Sequence, residues 1–300
     1  TASGGSEILF PAATSYAGSA NYDTTIQATG TGSRIDLGHL TTLVGGGTDP
    51  DYPYPWRYVY LKALDGGELD ISGAVSGHTI WTVDGPTSVL DVAGVTKLTG
   101  GATVGIGDGH TLEWTAATVL NYVSLTASED TVVSFPVASS LTNVNLTASG
   151  GSEILFPAAT SYAGWNQADK TIQATGAGSR IDLSSLTTLV GGGTDPDYPY
   201  DWRYVRLKVL DGGELDISGA VSGYTVWTVD ATGGVMNVAG VTSIGGYASI
   251  STASNMLDFT ACTSLSTVNL SASTGGQILF PVATSYAGSA NYDTTIQATG

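Results

Sequence analysis

Acidic side chains suited to binding a cation occur in one segment that the sequence contains twice. Asp49 and Asp51 flank a proline, and Asp195 and Asp197 flank another in the second copy. Ca²⁺ is bound in proteins by roughly six to eight oxygen ligands, and aspartate carboxylates are among the usual ones. The segment lacks the spaced acidic pattern of an EF-hand loop. These four residues are therefore candidate calcium ligands, and no other cofactor is predicted.

Aromatic side chains crowd the same segment, which runs over residues 45–58 and again over residues 191–204. Its glycines and prolines predict a stiff, non-helical loop that projects the rings from the fold. Three interpretations are open: the rings fold back over the protein wall, they contact another molecule as at interface hot spots, or they stack on sugars. The candidate contact residues are Tyr52, Tyr54, Trp56, Tyr58, Tyr198, Tyr200, Trp202 and Tyr204.

Motifs for catalysis are absent from the sequence. It contains no G-x-S-x-G, H-E-x-x-H or P-loop pattern, and its acidic loop residues are duplicated, unlike those of a single catalytic cleft. His39 and His78 correspond to Ser185 and Tyr224 in the second copy. Such replacement is more typical of a solvated surface than of a general base. We therefore predict that the protein is not an enzyme.

The charge balance excludes several classes of partner. The 300 residues include 26 acidic and 9 basic side chains, a formal net charge of -17. This acidity disfavours binding to nucleic acid or to an anionic membrane surface. No apolar run approaches the roughly 20 residues of a membrane span, and the single cysteine, Cys262, excludes a disulfide within one chain.

Long stretches of the sequence recur, which indicates a repeat protein. Residues 1–18 recur unchanged at 147–164, and residues 13–30 recur unchanged at 283–300. The chain therefore contains a large repeat at 1–146, a second at 147–270, and the beginning of a third at 271–300. We expect one continuous β-solenoid over residues 1–300.

A shorter unit of about 21 residues underlies the large repeats. It begins with an apolar-x-apolar triplet such as Leu112-x-Trp114 or Val133-x-Phe135, and a period of two indicates a strand. A β-sandwich would need hairpin turns that are missing, and a leucine-rich horseshoe would need a helical return. At about 3.3 Å per residue, 21 residues span about 70 Å, enough for three short sides of a coil. The sequence predicts an all-β, right-handed parallel β-helix, with loop insertions of two kinds.

Stacking such coils places equivalent residues in columns. One outward column contains Glu7, Arg34 and Glu68, in which opposite charges on neighbouring strands attract. The next contains Asp36, Asp70 and Asp91, whose like charges repel. An inward column of small residues contains Ala117, Ala138 and Cys262, which predicts that the cysteine is buried.

A recurring sequence motif resembles the repeats of one class of protein. It reads I-D-L-x-x-L-T-T-L at residues 35–43 and 181–189, and L-D-F-x-x-C-T-S-L at residues 257–265. It resembles the β-helical repeats of very large bacterial surface and secreted proteins, including adhesin-like and filamentous-haemagglutinin-like solenoids. The resemblance implies an extracellular rod used for attachment or scaffolding.

These observations predict a segment of a structural filament, located outside the cell or on its surface. Copies of the chain are the expected partners, through end-to-end or lateral contacts, and an extracellular polysaccharide is a further candidate partner. The alternative function is a carbohydrate-binding or polysaccharide-degrading β-helix.

Overall fold

A computed structural model describes residues 1–47, 56–198, 201–230, 232–289 and 293–300. Within these ranges the regular secondary structure consists of β-strands, without any helix. Five of the predicted site residues, Asp49, Asp51, Tyr52, Tyr54 and Tyr200, lie outside the described residues. The described chain forms two compact units, unit 1 over residues 1–138 and unit 2 over residues 139–300.

The two units together hold about 12 coils of a parallel β-solenoid. Successive coils begin about 23 residues apart on average, slightly more than the predicted unit of about 21, because insertions lengthen some coils. The all-β solenoid fold that the sequence predicts is therefore confirmed.

The described strands of unit 1 are short, apart from β10. They are β1 (Ala2–Ser3), β2 (Glu7–Leu9), β3 (Ser15–Ala17), β4 (Thr24–Thr29), β5 (Arg34–Leu37), β6 (Thr42–Val44), β7 (Val59–Leu64), β8 (Glu68–Ser76), β9 (Thr79–Asp84), β10 (Val89–Ile106), β11 (Thr111–Glu113), β12 (Val119–Ala127) and β13 (Val132–Ser134).

These strands pair in parallel, each with the equivalent strand of the following coil. β2 pairs with β5 and β5 with β8, in the register Ile8↔Ile35↔Leu69. On the other sides of the coil, β3 pairs with β6 and β4 with β7. The apolar triplets seen in the sequence are thus the inward columns of the stack.

Unit 2 repeats this arrangement with a second set of strands. They are β14 (Ser140–Thr142), β15 (Asn145–Ser149), β16 (Glu153–Leu155), β17 (Ser161–Ala163), β18 (Lys170–Thr175), β19 (Arg180–Leu183), β20 (Thr188–Val190), β21 (Val205–Leu210), β22 (Glu214–Ser222), β23 (Thr225–Val229), β24 (Val235–Ile244), β25 (Ala248–Ala253), β26 (Met256–Asp258), β27 (Ser264–Ser266), β28 (Val268–Ser273), β29 (Gln277–Leu279), β30 (Ser285–Ala287) and β31 (Ile296–Thr299). Its inward register Ile154↔Ile181↔Leu215↔Met236 is parallel throughout.

The interior of each unit is filled by columns of apolar side chains. In unit 1 the buried rings of Trp81, Trp114 and Phe135 follow one another with centroids 5.4 and 5.3 Å apart. In unit 2 Cys262 is fully buried, as the small-residue column predicts. Burying one large apolar side chain contributes about 1.5–3 kcal/mol, so these columns supply most of the driving force for stacking.

Glycines at the corners let successive coils approach closely. A Cβ on Gly67 would lie 2.3 Å from the carbonyl oxygen of Ala28 in the preceding coil. A Cβ on Gly213, the equivalent in unit 2, would lie 2.5 Å from the carbonyl oxygen of Ala174. Only a residue without a side chain fits at these corners.

Candidate functional site

In unit 1 the end of the long insertion carries a cluster of aromatic rings. Trp56 stacks on the imidazole of His78 with centroids 4.9 Å apart and planes 11° apart, and Tyr58 meets His78 edge-on at 5.8 Å. Backbone hydrogen bonds join His78 to Gly46 in both directions, at 2.9 and 3.0 Å, and fix the base of the loop. Burial lowers the pKa of His78 and favours its neutral form. Although the sequence suggested a solvated surface residue, His78 is half-buried and serves as the platform for Trp56.

In unit 2 the equivalent rings form a stacked column. Trp202 stacks on Tyr224 at 6.1 Å and Tyr224 on Tyr247 at 4.8 Å, with planes 17° and 8° apart. Tyr204 meets Tyr224 edge-on at 5.8 Å. Tyr224 and Tyr247 were not among the predicted site residues. Aligning the two large repeats could have drawn attention to Tyr247. Its equivalent in unit 1 is Gly101, so unit 2 has an aromatic residue where unit 1 has none at that position.

A groove of about 280 Å³ lies beside this column in unit 2. Four aromatic rings line one part of it. Hydroxyl, amide and carboxylate groups line the remainder, contributed by Ser249, Thr267, Asn269, Asp293 and Thr294. Rings next to mixed hydrogen-bonding groups suit a ligand that is partly apolar and rich in hydroxyl groups.

The predicted site residues at 195–204 occupy different environments. Tyr198 is well exposed, whereas Asp195 is buried. Asp195 Oδ2 accepts hydrogen bonds from Nη2 and Nε of Arg203 at 3.0 and 3.2 Å. Burial alone would raise the pKa of Asp195, but hydrogen bonds from the Asp197 amide and from Arg203 lower it.

The calcium prediction for Asp195 and Asp197 stays a prediction. One oxygen of Asp195 is already bound to a guanidinium group, which competes with a cation. Among the residues that the structure describes, no group of three or more His, Cys, Asp or Glu side chains is placed to hold a metal ion.

The outward charged columns form ion pairs as well as repulsive pairs. In unit 1 Arg34 Nε donates to Glu68 Oε1 at 3.0 Å, and Arg34 Nη2 lies 3.1 Å from Asp36 Oδ2. Asp70 is more distant, at 3.9 Å from Arg34 Nη2. Burial, together with the charges of Asp91 and Asp36, raises the pKa of Asp70 above its ordinary value.

Unit 2 neutralises its acidic column more completely. Arg180 donates from Nη2 and Nε to Asp216 Oδ2 at 2.5 and 2.9 Å, and from Nη2 to Asp182 Oδ2 at 3.1 Å. Burial alone would raise the pKa of Asp182, but hydrogen bonds from Ser184 and the charge of Arg180 lower it. These contacts indicate a structural role for the charged columns.

The coil of residues 1–30 and the coil of residues 271–300 expose apolar side chains that the same sequence buries elsewhere. Phe10 is 45% exposed, while its equivalent Phe156 in unit 2 is fully buried. Ile296 is 64% exposed, while its equivalent Ile172 is fully buried. Among the described residues, each of these two coils has a neighbouring coil on one side only.

Comparisons with protein-family models, curated proteins and solved structures find no match to this chain. Within the described ranges, no helix is long and apolar enough to cross a lipid bilayer.

Proposed function

We propose that this protein is a structural segment of an extracellular filament, built by copies of the β-solenoid that associate with one another. The observation that carries the proposal is the stacking of about 12 similar coils in parallel, in which each coil buries the apolar columns of its neighbours. A further coil placed on the coils of residues 1–30 and 271–300, whether from the same chain or from another copy, would bury Phe10 and Ile296 as completely as Phe156 and Ile172 are buried in unit 2.

The backbone supports the same proposal. Strand β31 pairs in parallel with β28, and β30 with β27. Among the described strands neither has a partner on its other edge. An open strand edge is a template for pairing with another chain. An added coil would therefore satisfy backbone hydrogen bonds and bury apolar side chains at the same time.

Lateral contacts between filaments are assigned to the aromatic loop residues. Trp56 and Trp202 remain partly exposed although each stacks on a ring of the following coil. Tryptophan and tyrosine held in fixed orientations are suited to interfaces, because little side-chain freedom is lost on binding.

Sedimentation and negative-stain microscopy of the purified chain test the proposal. Concentration-dependent growth of particles is expected, and Ile296→Lys or Phe10→Lys should abolish it by placing a charge on the association surface. Val235→Lys is the matched control, since Val235 is 54% exposed but lies on strand β24. Particles that stay monomeric at every concentration, or that respond equally to all three variants, would refute the proposal.

A second candidate function is carbohydrate binding, favoured by the groove beside the Trp202 column. Its rings and hydroxyl-bearing side chains are of the kinds that contact the apolar faces and hydroxyl groups of sugars. A glycan array should then give hits with neutral polysaccharides that are lost in Trp202→Ala. An array without hits would refute carbohydrate binding and would leave the filament proposal unaffected.

A further inference from the structure

The groove of unit 2 runs between two loop insertions. Trp202 and Tyr204 border it at the end of the long insertion, and Asp293 and Thr294 border it at the end of a short insertion that spans residues 288–293. The strands that follow these insertions are β21 and β31, and β23, β25 and β28 are stacked between them in that order. Four steps of about 4.8 Å separate β21 from β31, so the residues that line the groove span about 19 Å along the stacking direction.

The floor of the groove is part of the continuous stack. Tyr224, Tyr247 and Thr267 immediately precede β23, β25 and β28, and they form one column at a corner of the coil. Each of these three strands pairs with another strand on both of its edges. The floor is therefore flanked by neighbouring coils on both sides.

The stacking of the aromatic rings decides how a ligand can contact them. Trp202, Tyr224 and Tyr247 follow one another with centroids 6.1 and 4.8 Å apart and planes 17° and 8° apart. The faces that these rings turn to one another are closed to a ligand, because stacked rings at such distances leave no room for a sugar between them. A ligand in the groove therefore lies alongside the column, next to several ring edges and phenol groups at once. This placement favours a chain that runs along the groove.

The polar part of the floor supplies hydrogen-bonding groups on successive coils. Ser249 and Asn269 lie opposite each other on β25 and β28, about 4.8 Å apart. Asn269 Oδ1 accepts a hydrogen bond from the amide of Thr295 at 2.7 Å. This bond fixes the orientation of the Asn269 side chain and leaves its Nδ2 group to donate to a ligand. Hydroxyl groups repeated along a chain match this arrangement.

The charges near the groove disfavour an acidic ligand. Asp293 lines the groove, and the chain carries a net charge of -17. Arg206 lies over the Tyr204 ring at 5.4 Å, but its guanidinium group is paired with Asp169 at 2.7 Å. The described residues that line the groove include no lysine or arginine to compensate a carboxylate or sulfate group on the ligand. The groove therefore favours an uncharged ligand.

We infer that the groove binds an uncharged β-(1→4)-linked glycan, which lies along the stacking direction with about one sugar ring beside each coil. This inference rests on the carbohydrate binding proposed above as the second candidate function, and it specifies the class, orientation and length of the ligand. A β-(1→4) linkage keeps a glycan extended, so its successive rings follow a straight groove. An α-(1→4) linkage coils the chain away from it.

Titration calorimetry with oligosaccharides of increasing length tests the inference. The probes are β-(1→4)-linked oligomers of glucose, mannose and xylose, from disaccharide to hexasaccharide. The affinity of at least one series should rise with each added ring until the span of about 19 Å is filled, at about a tetrasaccharide, and then level off. The matched control ligands are α-(1→4)-linked glucose oligomers, which differ from the β-linked glucose series only in linkage. They should bind at least about tenfold more weakly than the best β-linked series.

Two variants address the two parts of the floor. Trp202→Ala removes a ring at one end, and Ser249→Val removes a hydroxyl group from β25. Valine fits this column, because Val226 occupies it on the neighbouring strand β23. Each variant should weaken tetrasaccharide binding by about threefold to tenfold. Thr103→Val changes the equivalent position of unit 1 and is the matched control, with unchanged affinity expected.

The outcomes separate this inference from carbohydrate binding in general. Equal affinity for disaccharide and hexasaccharide would overturn the axial arrangement, and equal affinity for the two linkages would overturn the choice of an extended chain. An equal effect of Thr103→Val and Ser249→Val would place the ligand outside the groove. If the glycan array gives hits but no β-(1→4)-linked series binds, the inference is wrong and carbohydrate binding stands. An array without hits refutes both.

Discussion

Replacing Asp91 by asparagine should stabilise unit 1 at neutral pH. Asp91 lies opposite Asp70 on the neighbouring strand, and the equivalent pair in unit 2 is Asn237 opposite Asp216. Unit 2 thus already carries the substitution. The local backbone contact is conserved as well, because the side-chain oxygens of Asp91 and Asn237 each accept a hydrogen bond from the amide two residues further on.

The expected gain follows from the spacing of the strands. Two unit charges about 4.8 Å apart repel by about 0.9 kcal/mol in water. Partial burial of Asp70, whose side chain is 24% exposed, strengthens this repulsion, and salt screens it because Asp91 is exposed. We expect the free energy of unfolding to rise by about 0.5–1 kcal/mol, and by less at high salt.

The pH dependence has a defined sign. The folded-state pKa of Asp70 is raised by burial and by the charges of Asp91 and Asp36. A carboxyl group whose pKa is higher in the folded than in the unfolded chain destabilises the fold once it is ionised, that is, above its folded-state pKa. Stability is therefore gained as pH falls through that pKa towards the ordinary value of aspartate. Asp91→Asn removes one cause of the raised pKa, so the variant should gain less stability on acidification than the parent chain.

Urea unfolding at neutral pH and at several acidic pH values measures both effects. The reciprocal variant Asn237→Asp is the matched control, and it should lose less stability than Asp91→Asn gains, because Arg180 already pairs with Asp216 at 2.5 Å. Asp91→Asn with unchanged or reduced stability at low salt would refute the electrostatic account of the acidic column.

Three further predictions concern single side chains. Arg180→Met should lower the free energy of unfolding in urea by about 2–4 kcal/mol, because it leaves the buried carboxylate of Asp216 uncompensated; a loss below about 0.5 kcal/mol would contradict this role. Gly67→Ala should lower the thermal midpoint, at a cost of about 1–3 kcal/mol, because its Cβ would overlap a carbonyl oxygen of the preceding coil; Gly105→Ala, where no atom lies within 4 Å of the added carbon, is the control. Cys262 should react with a thiol reagent only as the protein unfolds, because burial raises its pKa and excludes the reagent; rapid reaction of the native protein would place the thiol at the surface.

The coil architecture could be predicted because its signals are local and repeated. Inward and outward positions alternate within each triplet, and alignment of the triplets gives the register directly. The pairing of Arg34 with Glu68 and the burial of Cys262 followed from the same alignment, and the structure confirms both. The right-handed winding and the single continuous solenoid stay predictions.

The candidate site was less predictable, because its contacts join residues from different coils at positions that the repeats do not conserve. Tyr247 extends the aromatic column of unit 2, yet Gly101 occupies the equivalent position in unit 1. The partner of Asp195 depends on how the loop folds back to bring Arg203 beside it, which no periodic pattern encodes.

The parallel stacking of coils has a mechanical consequence. The hydrogen bonds between two coils run along the stacking direction, so tension applied evenly across a coil is shared by all of them at once. Force applied through a loose chain end loads the bonds one after another, and the outermost coil peels away while its neighbours stay intact. Each unit should therefore resist distributed pulling strongly and unravel readily from a tip.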